Sequence, residues 1–392
     1  MKLFKRFVSW TIWGIILLNL MLMGVSHIPA AQHFIGQKVA DAVGRHLGTE
    51  VSVGRVDMGF LNRIIIDDLR ILDQRRKPMV RVARLTAKID IGPLTEGRIS
   101  ISSAQLFGAR LSIYRQNAHA PHNFQFVLDS LAPKDTTSHT PLDLRVGSFI
   151  MRRSSVSYDV YDQPRTPDKF NPAHLLFAGL SANISLRTLT DDSINVNVKR
   201  FGGIEQSGLL INRISFRFEA GRNQALLSRL LVEMPSTKLV IDTLKATYQM
   251  NEKGLVPGST KYSGRITETS ITPSDLRCFA PALKNFQRSI SIETDFSGTD
   301  DQITIRHLSA ATQERDISLA VSGWIERFSK PAWHLQMNQV NLSETSIDFL
   351  SKTIPQIPQE LTRIGNLQLT GTFDRSLQGN TSLKAVARSG AG

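Results

Sequence analysis

The chain of 392 residues holds one cysteine, Cys278, so no intrachain disulfide is possible. Cys278 sits among Leu276, Phe279 and Leu283 and is expected to be a small buried apolar residue of a short helix. Acidic residues are in deficit, 34 against 47 Lys and Arg, which leaves a formal charge of +13 and a pI near 10.0. Such an excess favours an anionic surface, either nucleic acid or membrane headgroups. The positive charge is spread thinly, however. Its densest cluster, Arg75-Arg76-Lys77, precedes Pro78 and reads as an exposed turn, so no nucleic-acid partner is expected.

The sequence also lacks a P-loop, a Rossmann glycine fingerprint, a GxSxG elbow and an HExxH helix. His119 and His122 in "HAPH" are the best metal candidates, but a proline-containing loop does not set both rings on one helical face. Neither a metal nor another cofactor is expected. The pairs Asp67-Asp68, Asp191-Asp192 and Asp300-Asp301 read as solvated residues of turns or strand edges. Paired catalytic carboxylates need a shared pocket, and nothing in the spacing indicates one. The sequence therefore predicts no enzyme.

Long hydrophobic runs are absent except at the start. Phe7 to Ser26 is a stretch of twenty residues without a charge, preceded by Lys2, Lys5 and Arg6. At 1.5 Å per residue it spans about 30 Å, a bilayer's hydrocarbon thickness. Residues 1–29 are expected to be a basic cytoplasmic tip and an anchor, with Trp10 and Trp13 near the interface and Leu17, Leu18 and Leu20 within the bilayer. A cleaved signal peptide is the alternative; "SHIPAAQ" offers Ala30 and Ala31, but Ile28 or Pro29 would occupy the −3 position. Both readings export the remainder.

Residues 30–48 read as an amphipathic helix, with Phe34, Ile35, Val39, Ala42, Val43 and Leu47 on one stripe and Gly48 as its cap. It is expected either to lie on the membrane or to plug the structure that follows. From residue 49 the period becomes two. "RVARLTAKIDI" (81–91) alternates Ala83, Leu85, Ala87, Ile89 and Ile91 against Arg84, Thr86, Lys88 and Asp90. Leu180, Ala182, Ile184 and Leu186 alternate in the same way, as do Ile194, Val196 and Val198, and Ile317, Leu319 and Val321. Strands with one apolar face predict a mainly β fold of antiparallel meanders over residues 49–392. Helices are expected at 271–286, capped by Thr272, and from Ser343 to Pro355. Ser or Thr precedes Gly264, Gly298, Gly323 and Gly371 in strand-like runs, which suggests bends or bulges. The chain stops at "SLKAVARSGAG", directly after a strand-like run, which suggests the N-terminal part of a longer protein.

An anchor and a short helix, followed by "TEVSVGRVDMGFLNRIIIDDLRILDQRRKPMVRVARLTAKIDI" (49–91), resemble the start of the TamB/AsmA-like family. "LDLRVGSFIMRRSSVSYD" (142–159), "IEQSGLLINRISFRF" (204–218) and "ITPSDLRCFAPALKNF" (271–286) agree with it. The resemblance implies an elongated, twisted β-sheet folded into an open groove, a β-taco, anchored in a bacterial inner membrane with its bulk in the periplasm. It implies phospholipids as ligands and an outer-membrane barrel-assembly protein of the TamA/BamA type as partner, in phospholipid transport and outer-membrane biogenesis. The alternative is a non-conducting periplasmic scaffold for outer-membrane protein insertion. The expected groove residues are the alternating sets above: Ala83, Leu85, Ala87, Ile89, Ile91, Leu180, Ala182, Ile184, Leu186, Ile194, Val196, Val198, Ile317, Leu319 and Val321. Ala83 and Ala87, being small, are expected to leave room for an acyl chain.

Overall fold

The computed structural model describes residues 29–59, 62–90, 100–131, 146–190, 193–251, 254–353 and 363–390. Residues 7–26, with Trp10, Trp13, Leu17, Leu18 and Leu20, lie outside them, as do Ile91, 142–145 and Asp191-Asp192. Among the described residues no helix is long and apolar enough to cross a membrane. Strands account for 61% of the structure and helices for 13%, so the fold is mainly β, as the period of two predicts. The chain divides into two compact units: Met1–Thr166 with Asn171–Asn183, and Pro167–Phe170 with Ile184–Gly392.

Unit 1 opens with helix α1 (Pro29–Leu47), which ends at Gly48 in the left-handed region (φ 66°), the expected cap. Its docking face differs from the apolar stripe read from the sequence. Gln32, Gly36, Ala40 and Gly44, four residues apart, are buried, whereas Phe34 is 60% exposed and Val43 is exposed too. Close approach explains the choice. A Cβ on Gly36 would meet Val56 Cγ2 at 3.4 Å, and one on Gly44 would sit 2.8 Å from the Thr49 carbonyl oxygen. Ala40 joins Val53 and Val56 in a buried cluster, with Val51, Ile64, Ile66 and Leu69 packed around it. The helix therefore covers the first strands of the sheet.

Those strands are β1 (Val51–Ser52) and β2 (Arg55–Gly59), both antiparallel to β3 (Arg63–Leu72). β4 (Pro78–Asp90) and β5 (Ser100–Arg115) continue the antiparallel order. β6 (Val146–Val160) then pairs with β5 in parallel, a departure from the expected meander. A parallel neighbour requires a long return connection, and here it contains α2 (Gln125–Leu131). β7 (His174–Thr190) follows. The β3–β4 turn is held by Asp73, which accepts the Tyr114 hydroxyl (2.6 Å) and the N–H groups of Arg75 (2.8 Å) and Lys77 (2.9 Å). Burial pushes this carboxyl up, but the Tyr114 bond and the two backbone bonds outweigh it and hold Asp73 below its ordinary range.

Unit 2 contains β8 (Ser193–Glu205), β9 (Leu210–Ala220), β10 (Gln224–Glu233) and β11 (Lys238–Thr247), then a small hairpin of β12 (Met250–Asn251) and β13 (Gly254–Leu255). The main sheet continues through β14 (Lys261–Ile271), β15 (Ile290–Thr299), β16 (Gln302–Thr312), β17 (Ile317–Glu326) and β18 (Ala332–Leu342). Helix α3 (Glu344–Thr353) precedes β19 (Leu367–Arg375) and β20 (Thr381–Ser389). Each strand of the main sheet is antiparallel to the next. No ladder among the described residues returns from β20 to β8, so this sheet is open. α3 begins as expected, with Ser343 Oγ accepting the Ser346 N–H at 3.1 Å. The helix expected over 271–286 is instead two 3-10 turns, Pro273–Leu276 and Pro281–Asn285. Pro281 has no N–H to continue a helix, and Thr272 donates its hydroxyl to the Ser236 carbonyl (2.8 Å) in place of capping. Cys278 is buried, as expected.

Candidate functional site

Residues directly opposite on paired strands share a face, so the register gives each face of unit 2 without further assumption. One row runs Val196, Phe218, Leu227 and Leu244 from β8 to β11. It continues through Gly264, Phe296, Ile305, Gly323 and Leu335, then Phe373 and Leu383 on β19 and β20. At about 4.8 Å per strand the row is about 50 Å long along the sheet. Every side chain on it is apolar or absent. The glycines are part of the packing. Gly264 faces Phe296 and Gly298 faces Tyr262, and a Cβ on Gly264 would lie 2.7 Å from the Phe296 ring. These glycines make room for aromatic rings across the strand pair, where the sequence suggested only a bend.

The other face is mostly polar and internally paired, with Leu226 and Trp324 among its apolar members. Asn195 Nδ2 donates to Glu219 (3.3 Å), Arg265 meets Asp295 (3.1 Å), and Arg306 approaches the same carboxylate (3.7 Å). Thr267 donates to Asp242 at 2.8 Å. The segregation of the two faces is therefore complete enough to ask what covers the apolar one. Most of its side chains are half-buried. Among the described residues, the cluster of mutually packed buried apolar side chains lies in unit 1, under α1. Among the described residues unit 2 shows no cluster of that kind, although single side chains such as Val198, Val321 and Ile347 are buried.

Midway along many strands the apolar spacing steps from two residues to three. Ile66 and Leu69, Val82 and Leu85, and Leu106 and Ala109 show it in unit 1. Leu227 and Leu230, Ile241 and Leu244, Ile305 and Leu308, and Met337 and Val340 show it in unit 2. Within the steps of β3, β5 and β10 sits a left-handed residue, Asp68, Gly108 or Arg229, and Arg153 and Glu268 hold the same conformation in β6 and β14, all with φ between 48° and 63°. One left-handed residue in a strand returns the next side chain to the same face, bends the strand and adds twist. Two hydroxyls close the resulting gaps. Buried Ser154 accepts the Ala109 N–H (3.1 Å), and buried Thr269 both accepts from the Val240 N–H (2.9 Å) and donates to the Val240 carbonyl (3.1 Å).

This step relocates one expected residue. Ile66 faces Leu85 and Leu69 faces Val82, and Ile66 and Leu69 pack on the same cluster, so Val82 and Leu85 share the apolar face. Ala83 lies on the opposite face, exposed, beside Arg84 and Phe107; plain alternation fails there because Asp68 and Gly108 flank it. Ala83 therefore makes no room beside Ala87. Leu85, Ala87 and Ile89 are half-buried and aligned with Ile66, Ile64 and β5. Leu180, Ala182, Val198 and Val321 are buried, and Ile184, Leu186, Ile194, Val196, Ile317 and Leu319 are half-buried. Ile194, Val196 and Val198 face Ala220, Phe218 and Phe216 on the apolar side. Ile317, Leu319 and Val321 face Leu342, Val340 and Met337 there. Phe218, Leu227, Leu244, Phe296, Ile305, Leu335 and Phe373 join them and were not among the expected groove residues.

Among the described residues no group of His, Cys, Asp or Glu is arranged to hold a metal ion. His122 stacks on Phe124 (centroids 5.2 Å apart), in keeping with a packing role. Asp67-Asp68 lies within β3 and not at its edge, with Asp67 bound by Arg84 at 2.7 Å; Asp300-Asp301 does occupy a turn. No family model, curated protein or solved structure matches the chain.

Proposed function

We propose that the apolar face of the β-sheet is a lipid-handling surface, a groove wall against which acyl chains lie while headgroups stay in water. The observation that carries this reading is the unit 2 face from Val196 to Leu383, continuous across the sheet, half-buried up to Phe373 and exposed at Leu383, with no buried cluster among its described residues. Each methylene taken from water is worth about 0.8 kcal/mol, so a two-chain lipid crosses water slowly unless its chains remain covered. A face with no polar side chain along its main row keeps them covered at every step without chemistry. The left-handed residues bend the strands and thereby favour a trough over a flat sheet.

On this reading the chain is an inner-membrane-anchored periplasmic protein that supports phospholipid transport to the outer membrane, and its ligands are phospholipids. The partner expected at the far side is an outer-membrane barrel-assembly protein. The test is mass spectrometry of small molecules that co-purify with the full chain after exchange into lipid-free amphipol. Phospholipid near stoichiometric amounts supports the reading. Its absence, together with failure of a photoreactive acyl probe to label the apolar face, overturns it.

A further inference from the structure

The polar face of unit 1 differs from that of unit 2. Arg70 lies directly opposite Arg81, and Arg81 directly opposite Arg110. All three are exposed, and none meets a carboxylate among the described residues. Like charges directly opposite on paired strands destabilise a sheet. In unit 2 the comparable charges are matched, as in Arg265–Asp295–Arg306. One row further along, Arg84 faces Phe107, which faces Arg152. Phe107 is 45% exposed, with the Arg153 guanidinium 5.7 Å from its ring centroid. A shallow cleft of about 620 Å³ opens here between Arg84, Phe107 and Arg152, with Asp67 and Asp68 at its wall. Asp67 is already occupied by Arg84 and, at 3.7 Å, by Arg55. Arg63 opposite Lys88 adds a further unmatched pair to the same face.

We propose that this basic face of unit 1 docks onto an anionic phospholipid surface. The guanidiniums pair with lipid phosphates, and Phe107 enters between headgroups. Charge complementarity selects an anionic partner, because self-repulsion within the arginine row is relieved only when counter-charge arrives. An exposed ring inside a field of arginines suits a headgroup layer, which is charged at its surface and apolar just beneath. The choice of lipid over another polyanion rests on reading residues 7–26 as an anchor, since that run leads directly into this unit. It does not depend on lipid binding by the opposite, apolar face.

The test uses the full chain held in phosphatidylcholine nanodiscs, offered fluorescent vesicles of phosphatidylcholine alone or mixed about 7:3 with phosphatidylglycerol. The mixed vesicles are captured, pure phosphatidylcholine is not, and capture falls as salt rises. The double variant Arg81→Gln/Arg110→Gln weakens capture by about thirtyfold, at the usual contribution per basic residue near an anionic surface. Arg81→Lys/Arg110→Lys retains it. The Gln variant's melting temperature does not fall, because like-charge repulsion has been removed. Equal capture of both vesicle types, or an unchanged Gln variant, overturns the proposal. So does a single-stranded RNA that binds more tightly than the mixed vesicles and displaces them. If the chain is not retained by the nanodiscs the anchor reading fails; the comparison is then run on the free chain against the same criteria.

Discussion

Two neighbouring residues of β8 separate the roles of the two faces. Val196 points to Phe218 on the apolar side, and Asn197 points to Arg217 on the polar side. Both are half-buried, so Val196→Asp and Asn197→Asp add the same charge one residue apart at similar depth. In the unliganded sheet Val196→Asp loses part of a valine's burial, about 1 kcal/mol, because the new carboxylate still reaches water. An acyl chain laid over position 196 would strip that water, at a cost of several kcal/mol for an unpaired carboxylate. Even about 3 kcal/mol weakens lipid retention by roughly a hundredfold. Asn197→Asp meets Arg217 in water and leaves retention unchanged. The assay is phospholipid per mole of protein by mass spectrometry, with far-ultraviolet circular dichroism as the folding control. Equal loss in both variants, or full retention in folded Val196→Asp, refutes the assignment of the apolar face as the lipid surface.

Other expectations concern the supports of that face. Asp73 has its folded value lowered, so its contribution is complete above the free carboxylate's value near 3.9 and is lost as pH falls through the folded value. Tyr114 moves the opposite way, pushed up to about 12 by burial and by the Asp73 carboxylate, so its contribution is lost as pH rises from about 10 to about 12. Tyr114→Phe removes that alkaline loss and costs about 1.5–3 kcal/mol at neutral pH, read from denaturant midpoints. Thr269→Val leaves the Val240 N–H and carbonyl without the hydroxyl that bridges them and costs about 1–3 kcal/mol. Gly298→Ala is worse than Gly264→Ala in thermal melts. Its Cβ would fall 2.2 Å from the Gln302 backbone oxygen, whereas that of Gly264 meets the edge of a ring that can turn.

Much of the sheet was legible because its apolar residues keep period two over five to seven positions, as in Ile194–Val198 and Ile317–Val321. Part of what alternation missed has one cause. A left-handed residue inside a strand shifts the pattern by one, so "LLSRLLVE" in β10 reads as two conflicting half-strands when it is one bent strand around Arg229. Ala83 was misplaced for the same reason, and there the irregular residues belong to the neighbouring strands β3 and β5, which no window over β4 reveals. The docking face of α1 was missed because backbone proximity at Gly36 and Gly44, and not hydrophobic area, selects it. The parallel β5–β6 pair was invisible for a different reason: both strands have ordinary amphipathic patterns, and only the length of the return connection separates parallel from antiparallel.

The step of three also explains how a bent sheet keeps one apolar face. If a strand merely bent, strict alternation beyond the bend would turn its apolar residues toward water wherever the left-handed residue reversed the pleat. Placing the next apolar residue three positions on compensates for that reversal: Leu227 and Leu230 on β10 are matched step for step by Leu244 and Ile241 on β11, whereas Ile305 and Leu308 on β16 meet Gly323 and Val321 on β17, two apart, across a register shift. Bend and pattern are therefore coupled strand by strand. Deletion of Arg229 removes the left-handed residue and the extra position together, so Leu227 and Leu230 return to ordinary alternation and the pairing with β9 loses its register shift, while β11 keeps its three-residue step from Ile241 to Leu244. The conflict is with β11 alone, one residue out of register on one side of the bend, so the deletion lowers the melting temperature of the sheet, where Arg229→Gly, which keeps the left-handed residue, leaves circular dichroism and lipid retention intact.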